Sequence, residues 1–112
     1  MLTEIKTLLT TISNVYIGDM PATPDNCVCI YPTGGGTRGL VGDKTKQPTF
    51  MIKVRNTAYS TGFTQCESIN TLLQSKVNGN FLLIAQEGDI NGLGKDVSNR
   101  HEWSMNYRTY YK

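Results

Sequence analysis

Leu2, Ile5, Leu8, Leu9 and Ile12 recur three and four positions apart. That period lays an apolar stripe along a helix and predicts an amphipathic helix over residues 2–12, with Thr3, Glu4, Lys6 and Thr7 turned to water. Ser13-Asn14 ends it, "NVYIG" follows as a short strand, and the two prolines of "PATPDN" predict a turn before a second strand, "CVCIYP". In "TFMIKVRNT", Phe50, Ile52 and Val54 alternate with Met51, Lys53 and Arg55, the pattern of a strand with one buried face and one wetter face. A second helix is predicted over residues 59–77 from the stripe Phe63, Cys66, Ile69, Asn70, Leu73 and Val77, flanked by Leu72 and stopped at Asn78-Gly79-Asn80. The apolar run "FLLIAQ" reads as a strand covered on both faces and central in a sheet, and Asn91-Gly92 beyond it suits a tight hairpin turn. Along the last segment His101, Trp103, Met105, Tyr107, Thr109 and Tyr111 fall on one face, and Glu102, Ser104, Asn106, Arg108 and Lys112 on the other. That is a long terminal strand.

The order α-β-β-β-α-β-β predicts an α+β fold: a mostly antiparallel sheet of about five strands with two helices packed on it. At 112 residues the chain is read as one domain, 1–112, without internal repeats or a dividing linker. One stretch stands out. Residues 33–48, "TGGGTRGLVGDKTKQP", hold five glycines and two apolar residues, Leu40 and Val41. Loops longer than about 12–15 residues are uncommon inside a compact domain and tend to have a use.

Composition narrows what that use is. A net charge of +2 without a basic block gives little general attraction to nucleic acid. The N-terminal stripe is interrupted by Glu4 and Lys6, so no signal peptide is expected, and no run approaches the roughly 20 apolar residues of a membrane span. Cys27, Cys29 and Cys66 are an odd set, read as reduced thiols packed in or near the core, with Cys27 and Cys29 on one strand face and Val28 and Ile30 on the other.

Gly34, Gly36 and Gly39 have the spacing of a dinucleotide-binding fingerprint. That motif works by placing pyrophosphate on the free N–H groups of a helix that starts at once, and no helical period follows here, nor a carboxylate about 20 residues on. Asp43 stands before Lys44-Thr45 where a P-loop needs glycine. His101 is the lone histidine and lacks an orienting acid for nucleophilic chemistry. Cys27 and Cys29 with His101 make an atypical, three-ligand zinc set. Asp89 and Asp96 lack the EF-hand spacing and read as turn formers. The aromatic face of Trp103, Tyr107 and Tyr111 offers base stacking as an alternative, although its phase with Met105 fits a core better. No enzyme, metal or cofactor is expected.

Three segments in order, "NVYIGDMPATPDNCVCIYPTGG", "PTFMIKVRNTAYSTG" and "GDINGLGKDVSNRHEWSMNYRTYY", resemble the small tail terminator proteins of long-tailed bacteriophages of Gram-positive bacteria, often labelled phage minor capsid proteins. The resemblance runs from about Ile12 to Tyr111 and is carried most specifically by "MPATPDNCVCIY" and "RHEWSMNY". It implies a virion structural protein of the tail and neck, made in the host bacterial cytoplasm, that forms a homo-hexameric ring on the tail tube. Such a ring stops tube elongation and offers a docking surface to the head-tail connector. A head-side connector or head completion protein of the same neck is the nearest alternative, and a single-stranded nucleic-acid-binding module a more distant one. Phage DNA would cross such a ring only in passing, in keeping with the modest charge.

The glycine-rich loop is the expected contact, with Arg38, Lys44 and Lys46 facing acidic groups on a neighbouring subunit or the tube. Deleting residues 35–45 is expected to leave a folded monomer that joins rings or tails poorly. Circular dichroism reports the first property and tail-joining assays the second; normal joining by the deletion variant would refute the assignment.

Overall fold

Because every second residue of the terminal strand is apolar, that strand needs a covering layer, and the chain supplies one helix for the purpose. The computed structural model describes residues 2–35, 48–74 and 81–111. In chain order the elements are α1 (Leu2–Leu8), β1 (Val15–Ile17), β2 (Cys27–Gly35), β3 (Pro48–Asn56), α2 (Tyr59–Leu73), β4 (Phe81–Lys95) and β5 (His101–Tyr111). They form a five-stranded sheet in the order β1-β2-β3-β5-β4, parallel between β1 and β2 and antiparallel elsewhere. The architecture and element order agree with the sequence pattern. Strand β2 continues through Thr33, Gly34 and Gly35, so the start of the glycine-rich stretch is strand.

β5 is the inner strand of the β3-β5-β4 half, and its apolar face is the centre of the core. Trp103, Met105, Tyr107 and Thr109 are buried there with Phe50, Ile52 and Val54 of β3 and Val28 and Ile30 of β2. Phe50 and Tyr107, cross-strand partners, stack with ring centroids 5.1 Å apart, a geometry that adds to the burial of both rings. The Tyr107 hydroxyl donates to Asn70 Oδ1 of α2 at 3.2 Å, which satisfies the one polar atom of that side chain. Burial pushes the Tyr107 hydroxyl upward and the Cys66 thiol up to about 12, so both stay neutral in the fold.

α2 covers β5 along a stripe displaced from the expected one. The buried positions are Gly62, Cys66, Ile69 and Leu73, whereas Phe63 is 37% exposed. The reason is steric. A side chain at 62 would overlap the six-membered ring of Trp103 and approach Asn56 Cβ to 2.9 Å. Glycine therefore lets the helix backbone settle directly on the indole, and Phe63 is rotated outward by one position. The helix also stops sooner than expected: Gln74 turns extended (ψ 129°) while its N–H still bonds Asn70 O at 2.8 Å. Val77 and Asn78-Gly79-Asn80 lie outside the described residues.

Three further expectations are corrected. α1 ends at Leu8, and residues to Ile12 continue as tight turns, with Leu9 N–H bonded to Lys6 O and Ile12 N–H to Leu9 O. β-branched Thr10 and Thr11 are weak helix formers, and Leu9 and Ile12 still pack on the core from the turns. "FLLIAQ" is at the sheet edge: β4 is the outermost strand beside β5, with Ile84 buried and Leu83 and Ala85 half-buried on the face that lacks helices. Asn91-Gly92 is strand, opposite Ser104 and Trp103. Gly88 (φ +80°) and Gly94 (φ +85°) take left-handed backbone beside breaks in the β4–β5 register, so these glycines make bulges where the sequence pattern suggests a turn. With the chain not reversing at 91, β4 runs fifteen residues. At about 3.3 Å per residue that length accounts for the 49 Å long axis of the molecule.

Gly62→Ala is expected to lower stability by about 1–3 kcal/mol through overpacking against Trp103. Thermal unfolding followed by the emission of this single tryptophan reads the effect; an unchanged midpoint would show that α2 can lift off the indole without cost.

Candidate assembly interface

At the end of the sheet where β2 begins and β3 ends, two arginines hold the 19–26 connection in place. Arg55, 4% exposed, donates from Nε to Asp25 O (3.1 Å) and from Nη2 to Pro21 O (2.6 Å), Pro24 O (2.8 Å) and Ala22 O (3.4 Å). Proline-containing turns leave carbonyls without ladder partners, and a guanidinium fork is suited to collect them. Alternation alone assigns Arg55 to a wet face; tertiary structure buries it there. Its cross-strand neighbour is Cys27, so the connection lies over the sheet face that carries Cys27 and Cys29, which are 1% and 0% exposed. Burial raises the Cys27 thiol, and burial with its contact to the Cys29 thiol pushes Tyr31 up to about 12. Asn26 ties the same connection to the start of α2, its Oδ1 accepting from Thr57 N–H at 3.0 Å.

Arg100 joins a third segment to this end. Its Nη1 donates to Ala22 O (2.8 Å) and Asp25 Oδ1 (3.3 Å), and its Nε to Asp96 Oδ2 (2.8 Å). Asp96 is the organiser of the β4–β5 turn: Oδ1 accepts the N–H groups of Ser98 and Arg100, and Asn99 (φ +66°) supplies the left-handed residue. The Arg100 backbone N–H, with the Arg100 guanidinium and the Ser98 N–H beside it, holds the Asp96 carboxyl below the usual carboxylate range. A fixed turn thus presents Val97 fully to solvent.

The exposed large apolar side chains among the described residues are Ile17, Tyr59, Phe63, Leu93 and Val97. Two of them sit together on the first turns of α2. Tyr59 stacks on Phe63 (6.4 Å) and meets His101 edge-on (5.3 Å) and Trp103 (5.4 Å). His101 pairs with Lys95, and Leu93 and Val97 stand two residues to either side of that lysine. Ile17 is on β1, at the opposite edge of the sheet, next to a groove between α1 and β1 lined by Thr7, Leu9, Thr10, Ile12 and Tyr16 among others. On the sheet face without helices, charge is paired: Lys53 with Glu102 (3.3 Å) and Arg108 with Glu87 (3.0 Å).

The expected contacts Arg38, Lys44 and Lys46 lie outside the described residues, as do Gly36 and Gly39; Gly34 is in β2. His101 is a structural partner of Tyr59. Trp103 and Tyr107, offered by the sequence as a stacking surface for bases, are 1% and 0% exposed and belong to the core. Among the described residues no group of His, Cys, Asp or Glu is placed to hold a metal. Sequence reasoning missed the exposed Tyr59–Phe63 pair and the two arginines. One signal was present: Gly62 falls at the spacing of Cys66, Ile69 and Leu73, and including a glycine in the stripe would have turned Phe63 outward.

A family model described as bacteriophage tail terminator protein matches residues 4–112. Among solved structures, a chain from the virion of a native gene transfer agent particle superposes with a TM-score of 0.70, covering 96% of this chain and 83% of its own at 11% identity. That likeness is one of fold. No curated protein sequence matches the chain.

Arg55→Ala is expected to cost about 3 kcal/mol, since it removes several charged hydrogen bonds to part-buried carbonyls at once. It should also open Cys27 and Cys29 to thiol labelling while Cys66 stays silent. Mass spectrometry of maleimide-treated native protein checks this; unchanged labelling would mean that the 19–26 connection stays down without its arginine.

Proposed function

The chain belongs to the bacteriophage tail terminator protein family, and from that premise we propose that it closes the head-proximal end of the tail tube as a homo-hexameric ring, halts tube growth and presents a docking surface to the head-tail connector. The coarser part of this statement, a structural protein of the phage tail and neck within the virion, follows from the family. One observation in the fold carries the ring. A closed ring of identical subunits needs a head-to-tail contact, hence two different patches on each subunit. The sheet ends in two unlike edges, a three-residue β1 beside a groove and a fifteen-residue, bulged β4.

The edges also suit a subunit that must add once and stop. β4 shows three interruptions of register, and the Gln86 N–H is withheld from any incoming strand because it donates to Gln74 Oε1 at 2.8 Å. Bulges and occupied edge amides discourage open-ended strand addition, the behaviour expected of a component that terminates a polymer. Paired charges on the helix-free sheet face leave little net attraction for phosphate, so DNA crossing the ring would meet no tight site there.

Virions assembled without this protein should show overlong tails unattached to heads by electron microscopy, and adding the purified protein to tubes during assembly should restore a defined length. Tails of normal length beside unattached heads would transfer the protein to the head-completion role.

A further inference from the structure

We infer that the Gln74 side chain is a stopper on the outer sheet edge: it keeps the 81–86 stretch of β4 from pairing with the same stretch of a second copy of this chain. The two halves of β4 differ in what protects them. From Glu87 onward the strand carries Glu87, Asp89 and Lys95, left-handed Gly88 and Gly94, and two of the three breaks in register with β5. Charges and bulges of this kind keep a foreign strand from lying flat against an edge. Residues 81–86, "FLLIAQ", carry no charge, proline or glycine, and from Leu83 to Glu87 the ladder with β5 is regular. An uncharged, apolar segment at the outside of a sheet pairs readily with its own kind, because identical copies bring no like charges together and both offer ladder groups to fill. A second copy is therefore the partner that this edge has to refuse.

The stopper is built from the core outward. In an antiparallel ladder the backbone groups of alternate residues point away from the neighbouring strand. Gln86 faces Tyr107 and directs its N–H outward, where Gln74 Oε1 accepts it at 2.8 Å. Ile84, two positions back, directs its backbone groups the same way. The side-chain carbonyl of Gln74 thus takes the place that a backbone carbonyl of an added strand would take. α2 fixes where that carbonyl stands: Leu73 is buried, the Gln74 N–H bonds Asn70 O at 2.8 Å, and Asn70 Oδ1 receives the Tyr107 hydroxyl. An approaching strand must displace this tethered acceptor and gains at position 86 only a bond that was already made. Antiparallel pairing of identical segments is two-fold and closes at a dimer, so the stopper leaves free chains single.

The test uses the full chain, free in solution. Gln74 is exposed, so its variants should fold. Gln74→Met keeps the length of the side chain and removes the carbonyl. In dilute protein it should speed hydrogen exchange of the Gln86 amide about tenfold, read by NMR, because the bond that protects this amide is gone. In sedimentation velocity it should tighten dimerisation about tenfold over the unaltered chain, since the competing bond is lost on both copies. The concentrated dimer should then protect the Ile84 and Gln86 amides. Gln86→Pro removes the N–H at an outer-edge position, where proline is tolerated, and the double variant Gln74→Met/Gln86→Pro should return to the association of the unaltered chain. Unchanged dimerisation of Gln74→Met, dimers that survive Gln86→Pro, or protection that appears on other strands instead would each overturn the inference. Any of these failures leaves the tail-capping role untouched, because neither tubes nor rings enter the measurement.

Discussion

The contact between Gly62 and Trp103 is the constraint on which the rest of the structure depends. An antiparallel sheet with one apolar face must bury it, and β5, the inner strand, carries the largest side chain of that face. A helix with any side chain at position 62 would ride higher, and the indole would lose its close covering. With glycine there, α2 sits low enough for Asn70 to reach the Tyr107 hydroxyl and for Gln74 to reach the Gln86 amide on the edge strand. The same low seat turns Phe63 outward, so a packing decision in the core leaves the Tyr59–Phe63 pair on the surface.

A second layer of organisation is polar. Arg55 and Arg100 gather the carbonyls of one proline-rich connection, and through Asp96 they tie it to the β4–β5 turn. Arg100 does pair with the exposed Asp25 carboxylate, a contact worth little at a surface, but it also holds Ala22 O and the partly buried Asp96. Arg55 is buried with backbone acceptors, where its hydrogen bonds are short and its removal would strand several groups at once. The result is a braced end at which three segments distant in sequence hold one another, and from which Val97 and Tyr59 project. For a protein whose work is assembly, pre-organisation of this kind lowers the entropy lost when subunits meet.

The family is one of structural virion proteins, and several side chains that invited chemical readings have structural occupations. His101 packs against both Tyr59 and Trp103, Asp96 builds a turn, and the thiols are buried with Cys27 and Cys66 raised. Trp103 and Tyr107 illustrate why phase matters more than residue type. Aromatics that share alternation with a methionine in an inner strand are core, however well their rings would suit a base.

The sequence by itself determined the number, type and order of the elements, the inward face of β5 and the alternation of β3, because these depend on local period: side chains two apart share a strand face, and three or four apart a helix face. It also determined the family, through segments whose residues are specific without reference to contacts. Tertiary structure alone decided what depends on partners distant in the chain. Whether "FLLIAQ" is inner or edge turns on which strand lies beyond it, and an apolar run looks the same in either place. Whether Asn91-Gly92 reverses the chain turns on the competing Asp96–Arg100 turn, whose hydrogen bonds outweigh a favourable dipeptide. Arg55 reads as a surface residue until the carbonyls of residues 21–25 are brought to it across thirty positions of sequence. The exposed Tyr59–Phe63 pair was hidden for a related reason: the two rings are one helical turn apart, but that Phe63 faces outward is decided by the packing of α2 on Trp103.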